Sequence, residues 1–241
     1  MMKKILFVHG AWQGGWAWEP VINALTSAGC NARALDLPGS GDDNTPVSQV
    51  SLDSYAQKII QEALKFSNRG DIFLVGHSMG GAAVTAAASL APELFAKIIY
   101  VCAFLPQTGE SVASLGQLST ELGTPGPIAQ YLLDEGVAVL NSDKIAETFF
   151  HDYSGPDLGA IIHKFKPQPL APITTSLVQT EGFERLTKAY IISGEDHAIS
   201  PLLQKTMAER AGISEIYTLD AGHEPFFTKT SELSKLLIRI I

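Results

Sequence analysis

The hexapeptide Gly76-His77-Ser78-Met79-Gly80-Gly81 stands between the apolar run Asp71-Ile72-Phe73-Leu74-Val75 and the alanine-rich run Ala82 to Ala91. It fits the pattern Gly-x-Ser-x-Gly, and its flanks dictate a strand that turns abruptly into a helix. The chain doubles back on itself there, so the serine needs small neighbours, and Gly76 and Gly80 supply room and a permissive backbone. Ser78 is thereby displayed at the end of a strand, where a base can reach its hydroxyl.

The rest of the chain repeats the same alternation. Short apolar, β-branched runs at Lys4 to Val8, Ala32 to Leu35, Asp71 to Val75, Lys97 to Cys102, Ala189 to Ser193 and Glu215 to Leu219 read as strands. Between them, Trp18 to Ala28, Leu52 to Phe66, Met79 to Leu90, Pro201 to Ala211 and Glu232 to Ile240 carry helical spacing. This is the signature of βαβ units and a mainly parallel sheet of about six strands, an α/β fold. Boundary chemistry agrees: Ser200-Pro201 suits a helix start, and Gly29 and Gly212 sit where helix C-terminal glycines belong. The alternation breaks between residues 107 and 187, which hold six of the 13 prolines and no strand signal. A long structureless loop is improbable inside one domain, so this segment is expected to be a mainly helical cap inserted into a single domain spanning 1–241.

Composition narrows the classes further. The 241 residues are 46% hydrophobic and 17% charged, an ordinary globular balance with enough length for a sizeable core. Lys plus Arg number 17 against 25 acidic residues, a net charge of -8, and no basic patch is interleaved with aromatics. Nucleic acid and anionic membrane are therefore poor partners. Cys30 and Cys102 sit in apolar surroundings without metal-ligand spacing and read as buried free thiols, with no metal and no cofactor implied. The opening Met1 to Val8 is too short for a signal sequence, and no run reaches the length of a membrane helix, so a cytoplasmic protein is expected. A homodimer is compatible with the sequence.

A serine hydroxyl is a weak nucleophile unless a neutral imidazole takes its proton and a carboxylate orients that imidazole. In a parallel sheet such groups gather at the carboxyl ends of the strands. By that criterion His223, just after the last strand, is the candidate base among His9, His77, His151, His163, His197 and His223. Asp196, in the loop after the fifth strand, is the candidate orienter. It is preferred to Glu195 and to Asp36 after the second strand because the order Ser, Asp, His is kept; Asp36 and Asp220 are read as turn-shaping carboxylates. Two N–H donors are needed for a developing oxyanion: Met79 after the serine, and Ala11 in His9-Gly10-Ala11-Trp12-Gln13-Gly14-Gly15-Trp16. Gly10, Trp12, His77, Phe104, Phe149 and Phe150 are the expected pocket residues, with Leu105, Leu118 and Tyr131 as further apolar candidates.

With the serine turn, the HG loop, Asp196 and His223 in order, the chain resembles α/β-hydrolase fold proteins over nearly its whole length. It is most similar to the branch that holds plant methyl esterases, hydroxynitrile lyases and bacterial esterases such as pyrethroid hydrolases. The resemblance implies hydrolysis of a small hydrophobic carboxylic ester through an acyl-enzyme, with no cofactor. Lyases of this branch carry threonine in the oxyanion loop and lysine after the catalytic histidine; Gly10 and Glu224 stand there, and a carboxylate would repel cyanide. Dehalogenases of the fold carry aspartate where Ser78 stands. A small-molecule receptor built on the same fold is the alternative of a different class.

Overall fold

The computed structural model describes residues 2–67, 69–124 and 129–241. Its strands are β1 (Lys4–Val8), β2 (Asn31–Leu35), β3 (Ile72–His77), β4 (Phe95–Val101), β5 (Ala129–Leu132), β6 (Val137–Leu140), β7 (Gln168–Pro169), β8 (Lys188–Ser193) and β9 (Glu215–Leu219). Six of these form one sheet in the order β2-β1-β3-β4-β8-β9, and every neighbouring pair in it is parallel. Chain order reverses between β1 and β3, which lie side by side as the second and third strands from the β2 edge. In open α/β sheets that crevice is where ligands bind.

The helices are α1 (Glu19–Ser27), α2 (Leu52–Phe66), α3 (Gly80–Leu90), α4 (Val112–Glu121), α5 (Ser142–Phe149), α6 (Leu158–Ile162), α7 (Ala171–Thr174), α8 (Glu181–Arg185), α9 (Pro201–Arg210), α10 (Pro225–Thr228) and α11 (Thr230–Ile240). Strand residues alternate between two cores, as a period of two requires. Leu6, Val8, Leu74, Ile98, Tyr100, Tyr190 and Ile192 face the side covered by α2, α3 and α9. Ile5, Phe7, Val75, Ile99, Ala189 and Ile191 face the side covered by α1 and α11. Because both faces are covered, the strands read as continuous apolar runs in the sequence. Helix α2 starts at a capping box in which Ser51 and Ser54 each accept the other's backbone N–H.

Between β4 and β8 the chain departs from the sheet. Five helices, α4 to α8, account for most of its regular structure, together with an antiparallel three-stranded sheet, β5-β6-β7. The expectation of no strands in this segment is thus corrected. The strands are only four, four and two residues long, and Pro169 in β7 masks the usual pattern. Residues 125–128 of the segment lie outside the described residues. No helix among the described residues is long and apolar enough to cross a membrane.

The central strands carry the largest share of fully buried apolar side chains, so truncation there tests the packing directly. Leu74→Ala should lower the unfolding free energy by about 2–5 kcal/mol through lost burial and a residual cavity. Urea denaturation measures this.

Candidate active site

Ser78 follows β3 at φ +52, a left-handed conformation that a residue with a side chain adopts only when its surroundings enforce it. The enforcement is visible in the spacing. A Cβ at Gly80 would lie 2.5 Å from the His9 carbonyl oxygen, and one at Gly10 would lie 2.9 Å from the Ser78 Cβ. The loops after β1 and β3 are therefore pressed together at distances only glycine permits. The Ser78 carbonyl accepts the Phe104 N–H at 2.9 Å, which ties the turn to the end of β4.

The loop after β9 brings His223 to the same end of the sheet. Its Nδ1–H donates to Asp196 Oδ2 at 2.8 Å, leaving Nε2 of the neutral ring as a proton acceptor. Asp196 is held in turn: Oδ1 accepts the Ala198 and Ile199 N–H groups at 2.7 and 2.9 Å. Its Oδ2 also accepts Gln204 Nε2 at 2.9 Å. Burial opposes charge on His223, but the adjacent Asp196 carboxylate outweighs it and holds the imidazole pKa above its ordinary value. The carbonyl of His223 is gripped from behind, accepting His77 Nε2–H at 2.9 Å and the Cys102 thiol at 3.4 Å. Ligand-type atoms of His77, Cys102 and His223 lie within 4.8 Å of one another, yet the hydrogens of His77 and Cys102 are committed to that carbonyl. The arrangement reads as an anchor for the base loop.

Two residues with unbonded backbone N–H groups, Ala11 and Met79, line the cavity beside Ser78. His9 Nε2 accepts the Leu37 N–H at 3.1 Å, so its Nδ1–H is the donor to the Gly10 carbonyl at 2.7 Å. Burial keeps His9 neutral by lowering its pKa. In a trans peptide the C=O and the following N–H point in opposite directions, so the Ala11 N–H faces away from His9. Among the described residues neither the Ala11 nor the Met79 N–H donates to another group, and both residues line the cavity that contains Ser78 and His223.

That cavity has a volume of about 530 Å³, and its wall includes Ala11, Trp12, Ser78, Met79, Phe104, Phe149 and His223. Tyr131 and the α4 residues Val112, Gly116, Gln117 and Thr120 complete its far side. Gly10, His77 and Phe150 do not line it, contrary to expectation. Gly10 is the spacer beneath Ser78, His77 packs behind His223 against Trp18 and Phe226, and Phe150 belongs to an aromatic group with Tyr153, Phe165 and Phe227. Leu105 and Leu118 are also absent from the wall. Asp36 caps a turn by accepting the Gly15 and Asp42 N–H groups at 2.6 and 2.9 Å, which is the turn-shaping part expected of it.

Glu224 differs from its expected part. It is fully buried, both carboxyl oxygens contact Gln13 Nε2 at 2.7 and 2.8 Å, and burial pushes its pKa up to about 8. It lies outside the cavity wall and is mostly protonated at neutral pH, so repulsion of an anion by a carboxylate is not what distinguishes this site. The distinction is that no lysine follows the base. Gln13, Gln204 and Cys102 were not read from the sequence as site residues. Gln204 lies one turn into α9, where a side chain folds back over the acid loop, but nothing in its local sequence marks it.

The alpha/beta hydrolase family model matches residues 5–234, and the chain belongs to that family. Methylesterase 7 of Arabidopsis thaliana is 27% identical over 257 residues, covering 99% of this chain and 96% of its own length. Among solved structures, polyneuridine aldehyde esterase superposes with a TM-score of 0.88 at 21% identity, covering 100% of this chain and 99% of that one. A pyrethroid hydrolase from Sphingobium faniae JZ-2 gives a TM-score of 0.85 at 20% identity, covering 100% and 97%. At these identities the superpositions establish the shared fold.

The buried Glu224 carboxyl carries a pH signature. Its folded-state pKa of about 8 exceeds the ordinary 4.5, so its contribution to stability is fully present below about pH 4.5 and is lost as the pH rises through about 8. Glu224→Gln should therefore shrink the fall in melting temperature between about pH 5 and pH 9. Thermal denaturation across that range measures it, and an unchanged slope contradicts the assignment.

Proposed function

We propose that this protein is a serine esterase that hydrolyses a small, uncharged, hydrophobic carboxylic ester through an acyl-enzyme. The observation that carries the reading is Asp196–His223, a buried carboxylate–imidazole pair whose free ring nitrogen shares a cavity with a serine in the strained turn after β3. Methylesterase relatives that align over almost the whole chain support the ester as the bond attacked.

In this mechanism His223 Nε2 takes the Ser78 proton as Oγ attacks the ester carbonyl carbon. The negative oxygen of the tetrahedral intermediate is met by the Ala11 and Met79 N–H groups, where the loss of one such donor typically costs about a hundred- to a thousandfold in turnover. The intermediate collapses, the C–O bond to the alcohol breaks, and His223 returns the proton to the departing oxygen. Water then repeats the sequence on the acyl-serine: His223 accepts its proton, hydroxide adds to the carbonyl, and Ser78 leaves reprotonated. Asp196 fixes the tautomer and stabilises the imidazolium at both stages. The chain acts as one domain in which residues 107–187 form the cap that selects the substrate.

Selection follows from the wall. Among the described residues, no lysine, arginine, aspartate or glutamate lines the 530 Å³ cavity, a size suited to a drug-sized small molecule, so a charged group on the substrate would be desolvated without a partner. Width on the α4 side comes from Gly116, where a Cβ would meet nothing within 4 Å.

Two experiments test this reading. Ser78→Ala should abolish hydrolysis of a small aryl ester in a protein with unchanged melting temperature, and retained turnover would sink the assignment. Gly116→Leu should lower kcat/KM for a bulky ester relative to an acetate ester by about tenfold or more. Removing a helical glycine favours the fold, so equal ratios for the two esters would place the bulky group elsewhere.

A further inference from the structure

Trp12, which follows Ala11 in the loop after β1, holds φ +65, a conformation uncommon for a bulky residue unless its neighbours impose it. The groups that impose it belong to the inserted segment. The Trp12 backbone N–H donates to Gln168 Oε1 at 3.3 Å. The indole Nε1–H donates to the Ala138 carbonyl at 2.9 Å, and the Trp12 carbonyl accepts the Lys166 N–H at 2.9 Å. Ala138 and Gln168 face each other in register across β6 and β7, so the small sheet grips Trp12 at one point from two strands.

The grip is itself fixed. Gln168 is 1% exposed, and its Nε2 donates to the Tyr55 hydroxyl and the Pro169 carbonyl, each at 3.0 Å. These acceptors settle which end of the amide faces Trp12. Tyr55 lies on α2, inside the main core. A chain of buried contacts thus runs from α2 through Gln168 to Trp12. Ala11 stands between two pinned peptides: His9 holds the Gly10 carbonyl on one side, and Gln168 holds the Trp12 N–H on the other.

We propose that Trp12 is a positioning residue through which the β5-β6-β7 sheet sets the direction of the Ala11 N–H, so that the oxyanion hole is formed only when that sheet is seated. This rests on the reading of Ala11 as an oxyanion donor. Every described hydrogen bond of Trp12 runs to the inserted segment and none to β1. A sheet that shifted outward would free the strained residue, and the Ala11 amide would lose its aim. The segment then has two tasks, bounding the cavity and preorganising the loop that stabilises the transition state.

The test uses Trp12→Phe, which keeps an aromatic ring and removes the indole N–H, and Gln168→Met, which removes the amide and keeps its bulk. Both should lower kcat for a phenyl ester by about tenfold or more, with KM changed far less. Affinity for phenylboronic acid, which forms a tetrahedral adduct with serine, should fall in parallel, while affinity for toluene, a neutral ligand with the same ring and no oxygen for the amides to hold, should stay the same. A merely structural role would weaken both ligands or lower the melting temperature without separating them. Turnover and boronate affinity within twofold of wild type in both variants would overturn the proposal. If the wild-type protein neither hydrolyses the ester nor binds the boronate, the esterase reading itself fails and takes this inference with it.

Discussion

Everything at the candidate site depends on how closely the backbone after β1 approaches the backbone after β3. The His9 carbonyl lies where a Cβ on residue 80 would be, and Ser78 lies where a Cβ on residue 10 would be. That contact fixes Ser78 in a left-handed turn and brings the Ala11 and Met79 amides to the wall of one cavity. It requires β1 and β3 to be adjacent, and the strand order β2-β1-β3-β4-β8-β9 makes them so. The topology is therefore part of the proposed chemistry, because a sheet that placed another strand between them would separate Ser78 from the Ala11 amide proposed to serve it.

The polar side chains are set around this contact by burial. Asp196, His223, Glu224, Gln13, Gln204, His77 and His9 are all nearly or fully removed from solvent, where an unpartnered polar group is costly. Each makes at least one hydrogen bond, though Gln13 Oε1 and His77 Nδ1 stay unpaired among the described residues, and the partners transmit position: Gln204 fixes Asp196, Asp196 fixes His223, His77 and Cys102 fix the His223 backbone. Low dielectric surroundings then let one carboxylate raise the imidazole's pKa against the pull of burial. Glu224 obeys the same physics with the opposite outcome: burial outweighs both the nearby His223 and the Gln13 amide that holds it, and keeps its pKa raised, at about 8.

What the sequence disclosed and what it concealed divide along the range of the interactions. The six strands of the main sheet and the turn at Ser78 are written in runs of adjacent residues, which is why Lys4–Val8 and Glu215–Leu219 fall where the pattern put them. That Asp196 and His223 would meet was legible because a parallel sheet sends the loops after its strands to one end, and their side chains lie 2.8 Å apart. The strands β5 to β7 were missed because two-to-four-residue segments carry too little periodicity. Gln168 and Gln204 were missed because their partners lie far off in sequence or around a helical turn, at Trp12 and Asp196. Adjacency to Ser78 suggests a pocket position for His77, but His77 ends β3 and Ser78 turns away at positive φ, so His77 packs to the rear against Trp18, His223 and Phe226.

The most direct measurement is peptide mapping by mass spectrometry after reaction with a fluorophosphonate, which forms a stable adduct only with a serine whose hydroxyl is activated. One adduct per chain is expected, on the peptide carrying Ser78, formed faster as the pH rises and His223 loses its proton. A folded protein that stays unlabelled, or that is labelled at another serine, would contradict it.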